Sequence, residues 1–213
     1  MRFSFTPIFV AAALIGSSTA QAQIQLSPEE LLDKARESIA SMTGDFEGWL
    51  IQGIGVRKSP FVLRTDRSGV MTYYFQKPTE TVRVKVGEAT GNNATLTKKL
   101  RGTDVTLEDL TVHQLGWKVT NVREGRTGVS NCFILTVQND TGKGAYTHAD
   151  IWIQQNALAL MRLDAYDRAG LAKKLEVQLI RKVGDQRIAS KMRVSTYSGG
   201  RKRSSTSIHL DGD

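Results

Sequence analysis

The feature that most constrains this 213-residue chain is a period of two. Val82, Val84 and Val86 alternate with Thr81, Arg83 and Lys85; Met71, Tyr73 and Phe75 alternate with Thr72, Tyr74 and Gln76. Phe61 and Leu63 share one side of an earlier run, with Arg64 on the other. Successive side chains of a strand point to opposite faces, so each run has one apolar and one polar face. A first strand is predicted over 46–56, where Gly48, Gly53 and Gly55 suggest bulges or sharp bending. Further strands are predicted at 118–124, 129–138, 146–154, 158–166, 171–182, 187–197 and 204–209, separated by Gly-, Asn- and Asp-rich turns. Such spacing calls for an antiparallel meander of roughly eleven or twelve strands. A sheet of that length curls rather than staying flat. The expected fold is therefore α+β, mainly β, built on a single large curved antiparallel sheet.

Two stretches break the alternation. Ser27-Pro28-Glu29-Glu30 has a capping Ser, Pro at the first helical position and Glu at the third, which starts a helix. Leu31, Leu32, Ala35, Ile39 and Met42 then recur at helical spacing, and Gly44 is the expected stop. The second break is central. Gly91-Asn92-Asn93 turns the chain, and Thr95 to Leu100 returns it toward Gly102-Thr103-Asp104, which has turn chemistry. Thr106 stands three residues before Asp109, the spacing of a capping box. Glu108 and Asp109 fall in the first turn, where the helix dipole favours negative charge. A short helix over about 107–115 is predicted, lying with the first helix across the apolar face.

Gly102, Thr103, Asp104, Thr106, Glu108, Asp109 and Leu110, followed by Trp117, resemble the signature of the outer-membrane lipoprotein-sorting family, the LolA-like periplasmic carriers. The run from Tyr166 to Lys174 resembles a hairpin in that family's C-terminal third. The resemblance implies a half or incomplete β-barrel whose concave face is covered by the two helices. Gly102, Thr103, Asp104, Glu108, Asp109 and Leu110 would be scaffold rather than chemistry. It also implies a soluble chaperone for acylated lipoproteins or other lipids, with inner-membrane release machinery and an outer-membrane receptor as partners. The functional arginine near the carrier's lid has no residue-by-residue counterpart in Arg57, Arg64 or Arg67.

Residues 1–22 read as a cleavable signal: Arg2, a short apolar core over 8–15, and Ala20-Gln21-Ala22 as the cleavage site. The apolar core is shorter than the ~20 residues that span a bilayer. Residues 23–213 are then expected as one sorting domain, exported to the periplasm, with no cysteine at the new N-terminus to carry a lipid. Lys plus Arg outnumber Asp plus Glu, 29 to 21, a balance that attracts anionic surfaces. An exported chain without a nucleic-acid-binding motif makes nucleic acid an unsuitable partner. The single cysteine, Cys132, cannot form an internal disulfide, and its apolar surroundings predict a buried thiol.

The inventory of catalytic groups is poor. His113, His148 and His209 stand far apart, and GxSxG, HExxH and CxxC patterns are missing. His148-Ala149-Asp150 offers two potential ligands, too few for a metal site. The chain is thus expected to lack catalytic residues, metal and cofactor, and the resemblance implies a monomeric carrier. The alternative is a lipid- or lipoprotein-sensing domain of the same architecture. Such sensors usually carry a further C-terminal domain, for which little chain remains. An envelope enzyme is the third reading. The candidate ligand-binding face is Phe61, Leu63, Met71, Tyr73, Phe75, Val82, Val84 and Val86, brought together if consecutive strands pair.

Overall fold

A computed structural model describes residues 26–53 and 57–211. The expected leader and its cleavage site, and the end of the predicted first strand at 54–56, lie outside these residues. Eleven strands form one antiparallel sheet: β1 (Gly44–Gln52), β2 (Arg57–Thr65), β3 (Val70–Phe75), β4 (Glu80–Lys85), β5 (Lys118–Thr127), β6 (Ser130–Gln138), β7 (His148–Gln154), β8 (Leu160–Asp167), β9 (Gly170–Val183), β10 (Gln186–Ser198) and β11 (Arg201–Asp211). Their spatial order is β4-β3-β2-β1-β11-β10-β9-β8-β7-β6-β5. Every neighbour is sequential except β1 and β11, which join the two meanders in the middle. The sheet is open, with β4 and β5 as its edges.

This order explains the central stretch. The chain leaves the sheet at one edge after β4 and re-enters it at the other edge as β5, so residues 86–117 must cross the sheet's width. They do so as a strap on the concave face. It contains α2 (Asn93–Leu96), a 3-10 turn (Leu100–Gly102), α3 (Leu107–Thr111) and a second 3-10 turn (His113–Gly116). The expected return over 95–100 is therefore partly helical, because Asn92 caps α2 by accepting from the Thr95 amide at 2.9 Å. The predicted helix over 107–115 is shorter than its pattern: Val112 adopts φ 45°, ψ 43° and breaks it. Thr106 and Asp109 do form the capping box, and Gly102 has the positive φ of 68° that its turn requires.

α1 (Pro28–Ala40) has the Ser27–Glu30 capping box, but Ser41 caps its end. The expected stop at Gly44 is displaced, since Gly44 already opens β1 with φ 128°. Three strand starts also shift, β11 opening at Arg201 rather than 204 because Arg201 and Lys202 already pair with Ser198 and Tyr197 of β10. β7 begins at His148 rather than 146 because Asn139 folds the preceding loop, donating to the carbonyls of Lys143 (2.8 Å) and Tyr146 (2.7 Å). β8 begins at Leu160 because Leu158, at φ 50°, closes the turn from Gln154.

The main core lies between the concave face, α1 and the strap, and runs from Val82 and Val84 on one side to Leu135 and Ile151 on the other. Cys132 and Ile134 are buried outside this core. Their neighbour Gly125 has no room for a side chain: a Cβ there would stand 2.4 Å from Ile134 Cδ1 and 3.3 Å from the Trp152 ring. β5 and β7 thus close a small apolar patch on the outer face. Burial raises the Cys132 thiol's pKa, as expected for an inert buried sulfur.

Candidate functional site: an apolar cavity beneath the first helix

The site begins with how the strap is fastened. Asp104 is buried and points at the meeting point of β10 and β11. Its carboxylate accepts from the hydroxyls of Thr196 (3.1 Å), Thr206 (3.1 Å) and Ser204, and its amide donates to Thr206 Oγ1 at 3.0 Å. Lys173 on β9 faces inward and is also buried. Its ammonium donates to the Asp104 carbonyl at 2.9 Å and meets Asp109 Oδ2 at 2.6 Å. Asp109 also accepts from the Thr106 amide at 2.8 Å, so the helix cap and the ion pair share one oxygen. The motif residues Thr103, Asp104 and Asp109 thereby hold α3 to the sheet. The Thr103 hydroxyl closes the local turn on the Leu100 carbonyl at 2.7 Å.

Glu108 corrects the expectation of an ordinary charge at a helix start. It is fully buried, accepts from the Ala145 amide at 3.1 Å, and lies 3.4 Å from His113 Nε2. Burial pushes the Glu108 carboxyl up to about 7, with Asp109 raising it further against the Ala145 bond and Lys173. Burial pulls the His113 imidazole down to about 4. Neither ring nitrogen has a hydrogen-bond partner among the described residues. Gly144, at φ 88°, closes over the pair, and a Cβ there would fall 2.2 Å from Glu108 Oε1.

Between α1, α3 and the sheet lies a cavity of about 260 Å³. Ile39 and Met42 form its roof, with Leu110 and Val112 from the strap. Leu63, Met71 and Tyr73 form one wall; Leu160, Leu175, Val177, Ile188, Met192, Ile208 and Leu210 form the opposite one. Asp109, Gln154 and Arg187 are among the few polar side chains that reach it. Burial raises the pKa of the Tyr73 phenol, whose hydroxyl rests 3.7 Å from Met71 Sδ. The lining is apolar with few directed groups, as in sites that bind by excluded area rather than by chemistry.

The sequence-derived face divides here. All eight residues are buried on the concave side, and the register pairs Phe61 with Phe75, Leu63 with Tyr73, Tyr73 with Val82 and Met71 with Val84. Leu63, Met71 and Tyr73 reach the cavity. Phe61, Phe75, Val82, Val84 and Val86 belong to packed core beside it. The opposite wall went unselected, although Leu175/Val177 and Ile208/Leu210 show the same alternation. The other polar candidates have local partners. Asp150 is held by Arg123 (2.8 Å) and Thr136 (2.7 Å), and His148 stacks on Tyr166 at 4.7 Å. An open polar cleft of about 540 Å³ lies at the far end of the sheet, between the β6–β7 loop and the Asp167–Ala169 turn.

α1 is lightly tied. Among the described residues its polar links to the body are Arg36 to the Leu115 carbonyl at 3.3 Å and a clasp just past its end. In the clasp, Gln186 accepts from the Thr43 amide at 2.9 Å and donates to Thr43 Oγ1 at 3.0 Å.

The fold as a whole is similar to that of solved structures. A LolA superfamily protein from Nitrosomonas europaea is similar with a TM-score of 0.67 at 10% identity, over 88% of this chain and 92% of that one. A domain assigned to outer membrane lipoprotein sorting, from Vibrio parahaemolyticus, gives 0.63 at 15%, over 86% and 91%. A DUF1329 family protein from Desulfovibrio piger gives 0.59 at 17%, over 86% and 90%. A family model described as "-like: Uncharacterized protein" matches residues 85–211, from the end of β4 through β11. The chain belongs to that family, and its fold is LolA-like. No curated protein matches it by sequence. The matched region contains the strap, the Asp104–Lys173–Asp109 network and the cavity wall that sequence reasoning passed over.

Proposed function

We propose that the protein is a periplasmic, non-catalytic carrier that shelters lipid chains of acylated lipoproteins, or related lipids, in the cavity beneath α1. The carrying observation is the cavity itself: an apolar space of about 260 Å³ roofed by a helix with two polar ties among the described residues. An apolar cavity of ~150 Å³ takes a benzene, so this one holds a larger apolar segment. Each buried CH₂ contributes about 0.8 kcal/mol, so a chain needs no polar motif to bind firmly. The likeness to a lipoprotein-sorting domain supports the cargo class. Export through a leader over residues 1–22, delivery of residues 23–213 as the working domain, and hand-over between membrane partners belong to the same reading. No helix among the described residues is long and apolar enough to cross a membrane.

Leu63, Met71 and Tyr73 are proposed as the binding residues on the N-terminal side, with Leu175, Val177 and Met192 opposite. The test is mass spectrometry of lipids extracted from the exported protein, wild type beside Leu63→Trp, which fills the cavity. Acylated species recovered with the wild type and lost from the variant support the reading. A folded wild type that carries none overturns it.

A further inference from the structure

β9 and β10 outrun their neighbours. β8 pairs with β9 as far as Glu176, and β11 pairs with β10 from Lys191 onward. Among the described residues, 177–190 therefore form a two-stranded ribbon that pairs with itself and projects past the sheet. Isolated two-stranded ribbons are marginal in water. This one is pinned on its inner side by buried Ile188 and by the Gln186 clasp. Its remaining surface is unusual. Leu179 is 42% exposed and Ile180 38% exposed. Lys182 and Arg187 face each other directly across the ladder. Like charges in that position are destabilising. Asp185, 3.8 Å from Lys182, and Asp211, 3.3 Å from Arg181, offset part of the charge, while Arg187 has no ion pair among the described residues. The fold does not need a cationic cross-strand pair beside exposed leucine and isoleucine. An anionic, partly apolar partner would use both.

Position decides which partner. Ile180 and Arg187 line the cavity as well as being exposed, so the ribbon stands at its rim. The antiparallel order brings three other turns to the same end: the β2–β3 turn, the β7–β8 turn, whose Ala157 also lines the cavity, and the β5–β6 turn, where Val129 is 93% exposed. We propose that this rim docks on an anionic lipid bilayer, with Lys182 and Arg187 on the headgroups and Leu179, Ile180 and Val129 at the interface. A chain could then pass between bilayer and cavity with little exposure to water. The proposal rests on the carrier reading, since it gives that cavity its route of loading.

The test is co-sedimentation of the exported form with phosphatidylglycerol-containing vesicles and with pure phosphatidylcholine vesicles, alongside a solution titration with a fluorescent acyl probe. A basic residue near an anionic surface is worth about five-fold in affinity, so Lys182→Glu, a change of two charges at a residue outside the cavity lining, should bind anionic vesicles roughly 25-fold more weakly. Its melting temperature should hold or rise, because a repulsive pair is removed, and its acyl-probe affinity should not change. Leu179→Ser should weaken vesicle binding without touching the cavity lining. Arg201→Gln/Lys202→Gln removes the same charge at the other end of β10, about 40 Å away at strand rise, and should bind vesicles like the wild type. A wild type that binds the acyl probe but ignores anionic vesicles overturns the docking proposal and leaves the carrier reading intact. Equal losses at both ends would reduce the effect to net charge and also overturn it. Vesicle binding without probe binding would support the docking surface and count against the carrier.

Discussion

Glu108 and His113 titrate in opposite senses, and their effects on stability should cancel until one is removed. Glu108 moves from an ordinary 4.5 to about 7 in the folded chain, and His113 from 6.5 to about 4. Between pH 4.5 and 6.5 the fold keeps a proton on Glu108 that the unfolded chain releases, and refuses one on His113 that the unfolded chain accepts. The proton counts balance, so this pair adds almost no slope to stability against pH. Glu108→Gln leaves His113 alone. Its stabilising contribution is complete above pH 6.5 and is lost as pH falls toward 4, a relative loss of about 3 kcal/mol at 1.36 kcal/mol per pH unit. His113→Phe leaves Glu108 alone. Its contribution is complete below pH 4.5 and is lost as pH rises toward 7, by a similar ~3 kcal/mol in the other direction. Urea unfolding of the three proteins from pH 4 to 8 measures this, since differences from wild type remove the background of other groups. Three parallel curves would refute the burial argument for both residues.

Three further outcomes follow from the fold. Lys173→Met leaves Asp109 buried without its cation and should cost about 3–5 kcal/mol in urea unfolding, whereas a loss under ~0.5 kcal/mol would mean the strap is held elsewhere. Phe75→Glu, in packed core, should unfold the protein by circular dichroism, while Leu63→Glu at the cavity wall should stay folded and lose acyl-probe binding; the reverse ranking would contradict the placement of the cavity. Gln186→Ala opens the clasp at the end of α1 and should lower stability by about 1 kcal/mol while speeding probe association in stopped-flow, and unchanged kinetics would rule out α1 as the lid.

What the sequence displayed, and what it concealed, follows from the range of each interaction. Strands such as β3 and β4 were legible because alternation is local. α1 was legible because Ser27, Pro28 and Glu30 act within one turn. The joining of β1 to β11 was not, since that pairing links residues about 160 apart and leaves no local trace. The strap's turn and capping box could be read from Gly102, Thr106 and Asp109. Its fastening could not: Asp104 reaches hydroxyls on β10 and β11, and Lys173 looks like any surface lysine until its inward register with Leu175 is noticed. Glu108 misled because a first-turn carboxylate has a sufficient reason to be exposed, and the Gly144 loop that covers it is distant in sequence. Half of the cavity was visible as Leu63, Met71 and Tyr73. The other wall is made by strands whose position beside them depends on that same unreadable pairing.

The most direct test of the account is a chain-length series of acylated probes titrated against the exported protein. A cavity of about 260 Å³ has room for about nine groups of methylene size, taking the ~30 Å³ of a water molecule as the unit. At 0.8 kcal/mol per CH₂, affinity should rise about four-fold with each added carbon up to that length, and Val177→Trp should flatten the rise several carbons earlier. Affinity independent of chain length, with wild type and Val177→Trp alike, would contradict a lipid-chain site beneath α1.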